Sequence, residues 1–171
     1  MRFALLAELP QHIGTVAEWL FNEWGDSSQG QSSAKLASRL SERMSLSELP
    51  MHILALCEES PVGFAAIKLN EMDEYPDRRH WLGSLYVLHE RRQQGIGSAL
   101  VEEVIRRSEF YNIDCLSLQT EHVTGGLYGR FGWTEVEKIT SEGDEILVME
   151  RLAEPKMGEQ DVPPKSDRAG G

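Results

Sequence analysis

Cysteine is scarce in this chain, with only Cys57 and Cys115 among 171 residues. Each sits inside an apolar stretch, 53–57 and 113–118, without a CxxC partner or metal-ligand spacing. Both are expected to be reduced core residues, and neither a disulfide framework nor a metal site is expected. A catalytic thiol needs a nearby His or a helix N-terminus, which the local sequence does not supply. Long apolar runs are also missing: none approaches the roughly 20 residues that span a bilayer. The opening residues 1–8 hold a brief apolar stretch interrupted by an acid, so they read as a strand and not a secretory signal. A cytoplasmic location is the expectation. Positive charge is in short supply, with 17 Lys and Arg against 28 Asp and Glu, a net −11. Nucleic-acid binding rests on phosphate neutralisation, so this balance argues against a nucleic-acid partner, and equally against an anionic membrane. An acidic field favours a cationic partner such as an amine.

What the chain has is 40% hydrophobic and 26% charged residues, ordinary for a globular protein and enough for one core. Residues 10–24 place Ile13, Val16, Ala17, Leu20, Phe21 and Trp24 on one helical face, ended by Gly25. A polar loop, 26–33, precedes a second helix over 33–44. Strands are expected over 49–57 and 62–69, joined by a turn at Glu58-Glu59-Ser60-Pro61. Residues 70–79 form a loop long enough to lie over a site. A central strand over 80–88, a helix over 94–108, a strand over 113–120 and a short helix over 124–130 follow. A hairpin of 133–140 and 145–152 closes the order. The expected domain is 1–152. The tail, 153–171, is Pro-, Gly- and charge-rich and too poor in apolar residues to offset the entropy of ordering it. The order β α α β β β α β α β β implies a mixed α/β (α+β) fold, a mixed sheet with flanking helices.

The informative segment runs from Leu85, Tyr86 and Val87 through Arg91-Arg92-Gln93-Gln94-Gly95-Ile96-Gly97-Ser98. It reads strand, basic turn, two glycines one residue apart, then helix. A helix start offers unpaired N–H groups and a positive dipole end, together an anion site. Gly95 and Gly97 remove side chains that would keep a phosphate from those amides, and Arg92 can add a charge-assisted bond. Between positions 91 and 107 four Arg stand against two Glu. A P-loop is excluded because no Gly-Lys-Ser/Thr follows, and Ser98-Ala99-Leu100 supplies no third glycine for a dinucleotide fingerprint.

Arg92-Gln93-Gln94-Gly95-Ile96-Gly97 resembles the R/Q-x-x-G-x-G/A motif of the GNAT (Gcn5-related) N-acetyltransferase superfamily. Leu127-Tyr128-Gly129-Arg130-Phe131-Gly132-Trp133 is similar to that family's L-Y-x-x-x-G-F/W ending, and the order of elements agrees over about 2–152. The resemblance implies the acyl-CoA N-acyltransferase fold, a mixed sheet splayed between the strands at 80–88 and 113–120. Acetyl-CoA would lie in that opening. Backbone groups of Leu85 and Val87, on either side of Tyr86, would hold the pantetheine arm and acetyl carbonyl. The diphosphate would rest on the amides of Gln93, Gln94, Gly95, Ile96, Gly97 and Ser98 beside Arg92.

Acyl transfer to an amine needs a base for the ammonium proton and a donor for the departing thiolate. Tyr128 matches the family position whose hydroxyl commonly protonates the thiolate. Glu121 and His122, at the end of the strand after the motif, are candidate bases, as is any member of Glu71-Met72-Asp73-Glu74, or a water relay. Glu121 stands where many relatives have Asn, and Thr124 where they have Ala, so the cofactor contact usual for that Asn is unassigned. Trp24, Asp73 and Trp81 are candidate acceptor-site residues. Trp19 and Phe21 fit the core side of the first helix. The expected activity is transfer from acetyl-CoA to a primary amine, of a small molecule or a peptide N-terminus, by direct attack and without a metal. A non-catalytic acyl-CoA-binding regulatory module and an unrelated phosphate-ligand binder are the rivals. Monomer and homodimer both fit.

Overall fold

The structure, a computed structural model, describes residues 1–141 and 143–154. The expectation for the tail therefore lies outside the described residues, except at Ala153 and Glu154. Strands are β1 (Arg2–Leu5), β2 (Met51–Cys57), β3 (Ser60–Leu69), β4 (His80–Val87), β5 (Cys115–Thr120), β6 (Thr134–Ser141) and β7 (Asp144–Leu152). Helices are α1 (Ile13–Trp24), α2 (Ser33–Glu42), α3 (Ile96–Phe110) and the single turn α4 (Gly126–Gly129). The element order is the one expected.

All seven strands join one mixed sheet in the order β1-β2-β3-β4-β5-β7-β6. β2 and β3 are covered on both faces, which explains their near-continuous apolar sequences. On one face Ile53, Ala55, Ala65 and Ile67 meet Leu100, Val101 and Val104 of α3. On the other, Leu54, Leu56, Phe64 and Ala66 meet Val16 and Ala17 of α1 and Leu40 of α2. Each large side chain so buried stabilises by about 1.5–3 kcal/mol.

Local chemistry sets the boundaries. Gly25 ends α1 at φ −76°, with its N–H on the Phe21 carbonyl at 2.8 Å. A Cβ there would sit 2.3 Å from the Phe21 ring, so the glycine is needed for space and not for a left-handed turn. Ser32 caps α2 by accepting the Lys35 N–H at 3.2 Å. The β2–β3 turn is tighter than expected. Cys57 pairs with Ser60, and Glu58 and Glu59 both take left-handed φ, 49° and 65°. That is the pattern of a two-residue I′ hairpin turn. Arg2 Nε donates to the Glu59 carboxylate at 2.9 Å and so ties the turn to β1.

The feature that positions the site lies between β4 and β5. These are the parallel neighbours, and they share a single register pair, Trp81 with Ser117. β5 then follows β7 from Cys115↔Leu152 to Thr120↔Leu147 and parts from β4. β4 also carries a bulge: Ala66 pairs with Gly83 and Phe64 with Tyr86, leaving Ser84 and Leu85 opposite Ala65. Ser84 sits at φ 52°, an uncommon conformation for a non-glycine residue.

Candidate functional site

Where β4 and β5 part, a cleft of about 690 Å³ opens. Its floor is 82–87, one wall is Ile96 and Gly97 of α3 with Leu127 and Tyr128 of α4, and the far lip is 119–122. Of the residues expected to hold a coenzyme, Leu85, Tyr86, Val87, Arg92, Gln93, Ile96 and Gly97 line it, whereas Gln94, Gly95 and Ser98 stand just outside the lining. The three expected catalytic residues, Glu121, His122 and Tyr128, line it as well.

The α3 start leaves its first-turn amides uncapped. Gln93 and Gly95 take left-handed φ of 61° and 81°, which turns the chain into the helix. Gly95, the N-cap, makes no side-chain cap. The Ala99 N–H returns to the Gly95 carbonyl at 3.0 Å, and the helical amides before it lie within the unpaired first turn. A Cβ on Gly95 would meet nothing within 4 Å, and one on Gly97 nothing nearer than 3.7 Å, so approach to the backbone is open.

The local positive charge is smaller than the residue count implied. Arg106 and Arg107 are bound to Glu103 at 2.8 and 2.6 Å, well along α3. Burial works against the Glu103 carboxylate, yet the hydrogen bonds from Arg106 and Arg107 keep its pKa below the ordinary value. The loop itself keeps Arg91 and Arg92. Arg92 is not turned to the helix start in this structure. Its Nε donates to the Val87 carbonyl at 3.0 Å and its Nη2 to both Glu23 oxygens at 3.1 and 3.2 Å.

Tyr128 is half-buried, and burial pushes its phenol pKa up, so it holds its proton at neutral pH. Its backbone is fixed by a tight turn: its N–H bonds to the Gly125 carbonyl at 3.0 Å, while its carbonyl accepts from Phe131 at 2.9 Å. Glu121 and His122 are exposed at the end of β5, where the His122 N–H donates to Thr120 Oγ1 at 3.1 Å.

The acceptor-site expectations separate. Trp24 lines the cleft, half-exposed, and meets Tyr86 edge to face at 6.4 Å. Trp81 needs correction: it is 0% exposed, packs with Met72 and Val148, and donates Nε1–H to the Arg78 carbonyl at 2.7 Å. It is a core residue, covered by Met72, Val148 and the tilted Tyr75 ring 6.2 Å away. Asp73 is exposed and stands outside the lining. Of the loop 70–79 only Glu71 reaches the cleft lining. Asn70 and Arg79 close its base at 2.9 Å, Tyr75 Oη donates to Glu137 at 2.7 Å, and Arg78 holds Glu150 of β7 at 2.6 Å.

Several lining residues were not singled out from the sequence: Glu23, Lys68, Ser84, Arg91 and Gln119. Glu71 appeared only as one member of an acidic run. Lys68 crosses Gly83, where a Cβ would come within 2.8 Å of its Cδ and Cε, and binds Glu71 at 2.7 Å. An isolated Gly83 beside Ser84 in an apolar strand was a usable sign of a bulge or close approach.

Comparison with known proteins follows this geometry. The model of the "Acetyltransferase (GNAT) family" matches residues 14–133. An aminoglycoside 6'-N-acetyltransferase complexed with coenzyme A shares 16% identity at TM-score 0.70, over 91% of this chain and 99% of that one. An aminoglycoside 6'-acetyltransferase type Ii shares 19% at TM-score 0.70, over 91% and 99%. A ribosomal-protein-alanine N-acetyltransferase from Brucella melitensis shares 20% at TM-score 0.65, over 89% and 98%. At such identities the likeness is one of fold. No curated protein sequence matches the chain.

Proposed function

Because the chain belongs to the acetyltransferase (GNAT) family, we propose that it moves the acetyl group of acetyl-CoA to a primary amine, on a small molecule or a peptide N-terminus, by direct attack. One observation carries this reading: an uncapped helix start, open at Gly95 and Gly97, shares a cleft with a protonated, half-buried tyrosine. The residues suit the coenzyme. The diphosphate would be held by the amides of residues 93–98, with Arg91 and Arg92 adjacent, and the thioester arm would follow Leu85 and Val87.

When bound, acetyl-CoA supplies an activated acyl group. Everything else falls to the chain. The bulged floor at Ser84 and Leu85 leaves backbone groups without a strand partner on the β5 side, available to orient a ligand. The Tyr128 phenol holds the proton that a departing sulfur requires. Glu121 and His122 stand where an ammonium proton can be passed to them or through water. Cys57 and Cys115 are both outside the lining, so neither serves as a nucleophile.

The acceptor classes named for structures of similar fold, aminoglycosides and ribosomal-protein alanine, both belong in the test. Free-thiol release from acetyl-CoA is measured across small amines, aminoglycosides and short peptides, with mass spectrometry of every product. Acetylated amine is the expected result. Coenzyme binding with no acetylated product from any acceptor would instead leave a coenzyme-binding module.

A further inference from the structure

Arg92 has a partner that coenzyme binding does not require. Its guanidinium lies 5.8 Å from the centroid of Tyr86, whose ring stacks on Trp19 of α1 at 5.2 Å. Its Nη2 reaches both oxygens of Glu23, the penultimate residue of α1, and its Nε is fixed by the Val87 carbonyl. The cation that opens the Gln93–Gly97 turn is thereby tethered to a different helix. Arg91, next to it and in the same cleft, has no ion-pair partner among the described residues.

Two anions therefore suit one guanidinium at this place: the Glu23 carboxylate and the diphosphate expected at the α3 start. The ion pair is solvent-accessible, with 42% of the Arg92 and 38% of the Glu23 side chain exposed. Such a pair contributes little net stability and can exchange partners readily. A diphosphate carries more charge and also gains the free amides beside it, so it competes well.

We propose that Glu23 is a positioning residue of the coenzyme site, holding the Arg92 guanidinium on α1 until the diphosphate displaces it. The exchange couples the end of α1, with Trp24 and the turn after it, to the state of the coenzyme site. This inference rests on the acetyl-CoA reading above, and its test separates the two.

The experiment is calorimetric titration of wild type, Glu23→Gln, Arg92→Gln and the double variant with three probes: CoA, dephospho-CoA and pantetheine. The first two carry the diphosphate and the third does not. Glu23→Gln frees Arg92, so CoA and dephospho-CoA should bind about 3- to 5-fold tighter, the scale of one exposed ion pair. Pantetheine affinity should not move. In the Arg92→Gln background the gain should vanish. Because the pair is exposed, the variants should fold, and melting temperatures verify this, with Glu23→Ala as a second substitution at the site.

Unchanged or weaker CoA binding by Glu23→Gln overturns the proposal. So does an equal gain in the Arg92→Gln background, which would mark a general charge effect. So does a parallel shift for pantetheine, which would mark a rearranged helix. Wild type that binds neither CoA nor dephospho-CoA removes the acetyl-CoA reading, and this inference with it. Binding by wild type with no coupling in the cycle removes this inference alone.

Discussion

The ring of Tyr128 meets that of Trp133 edge to face, with centroids 6.1 Å apart and planes at 65°. Trp133 is 3% exposed, so this contact anchors the phenol against the core beneath the cleft. Burial raises the phenol pKa and keeps the proton in place. Tyr128→Phe keeps the ring and removes the proton. Turnover should fall by about 100-fold or more, the range for loss of a general acid, while CoA affinity changes less than about 3-fold. Thiol release and calorimetry measure the two. Equal losses in both would assign Tyr128 to binding.

The two glycines of the helix start should fail in different ways. At Gly95, φ is 81°, so Gly95→Ala is strained by about 1–2 kcal/mol although its Cβ would meet open space. Gly97 has ordinary φ, and its Cβ would make only van der Waals contact at 3.7 Å with Leu127. Gly97→Ala should leave the melting temperature near wild type yet weaken CoA by roughly 10-fold, because a methyl would shield the amides proposed to hold the diphosphate. Denaturant unfolding and calorimetry on both variants check the contrast; a CoA affinity left intact by Gly97→Ala would move the diphosphate elsewhere.

His52 gives the fold an acid-side weakness. Burial, with Lys68 and Arg43 nearby, lowers its pKa from 6.5 to about 4, and it stacks on Phe64 at 6.0 Å. In the unfolded chain it titrates near 6.5, so below that pH the unfolded state binds more protons than the folded one. Stability is therefore full above pH 6.5 and declines as pH falls toward 4. Between pH 6.5 and 5, wild type should lose about 2 kcal/mol more than His52→Gln. Urea unfolding at several pH values measures the difference. Parallel curves would mean that His52 does not set the slope.

Trp81 should matter to stability and not to the acceptor. Its Nε1–H serves the Arg78 carbonyl, and Arg78 in turn holds Glu150. Trp81→Phe leaves that carbonyl without its donor and should destabilise by about 1–2 kcal/mol. Acceptor KM should be unchanged within error. A large KM effect without loss of stability would restore Trp81 to the cleft wall.

Legibility followed range. The apolar spacing of α1, the Gly-x-Gly helix start and the Leu-Tyr ending all lie within about one to three helical turns of sequence, and each element is present with its ends shifted by a few residues at most. Trp81 was misread because an apolar residue in a central strand can face either side, and only the register with Ser117 and the packing on Val148 choose. The arginine count failed for a similar reason: Arg106 and Arg107 look free in a string of letters, but a helix brings Glu103 beneath both.

By itself, then, the sequence determined the elements and the family motif, and it picked out Gly95, Gly97 and Tyr128 as candidates because their features are local. Tertiary structure alone decided that β7 slips between β5 and β6, that β5 leaves β4 after one pair, and that Glu23 reaches Arg92 from 69 residues away. The physical reason is that backbone propensity and side-chain periodicity act over a few residues, whereas a cleft is made by strands that fail to pair. Which strands those are depends on partners distant in the chain, and no local pattern records them.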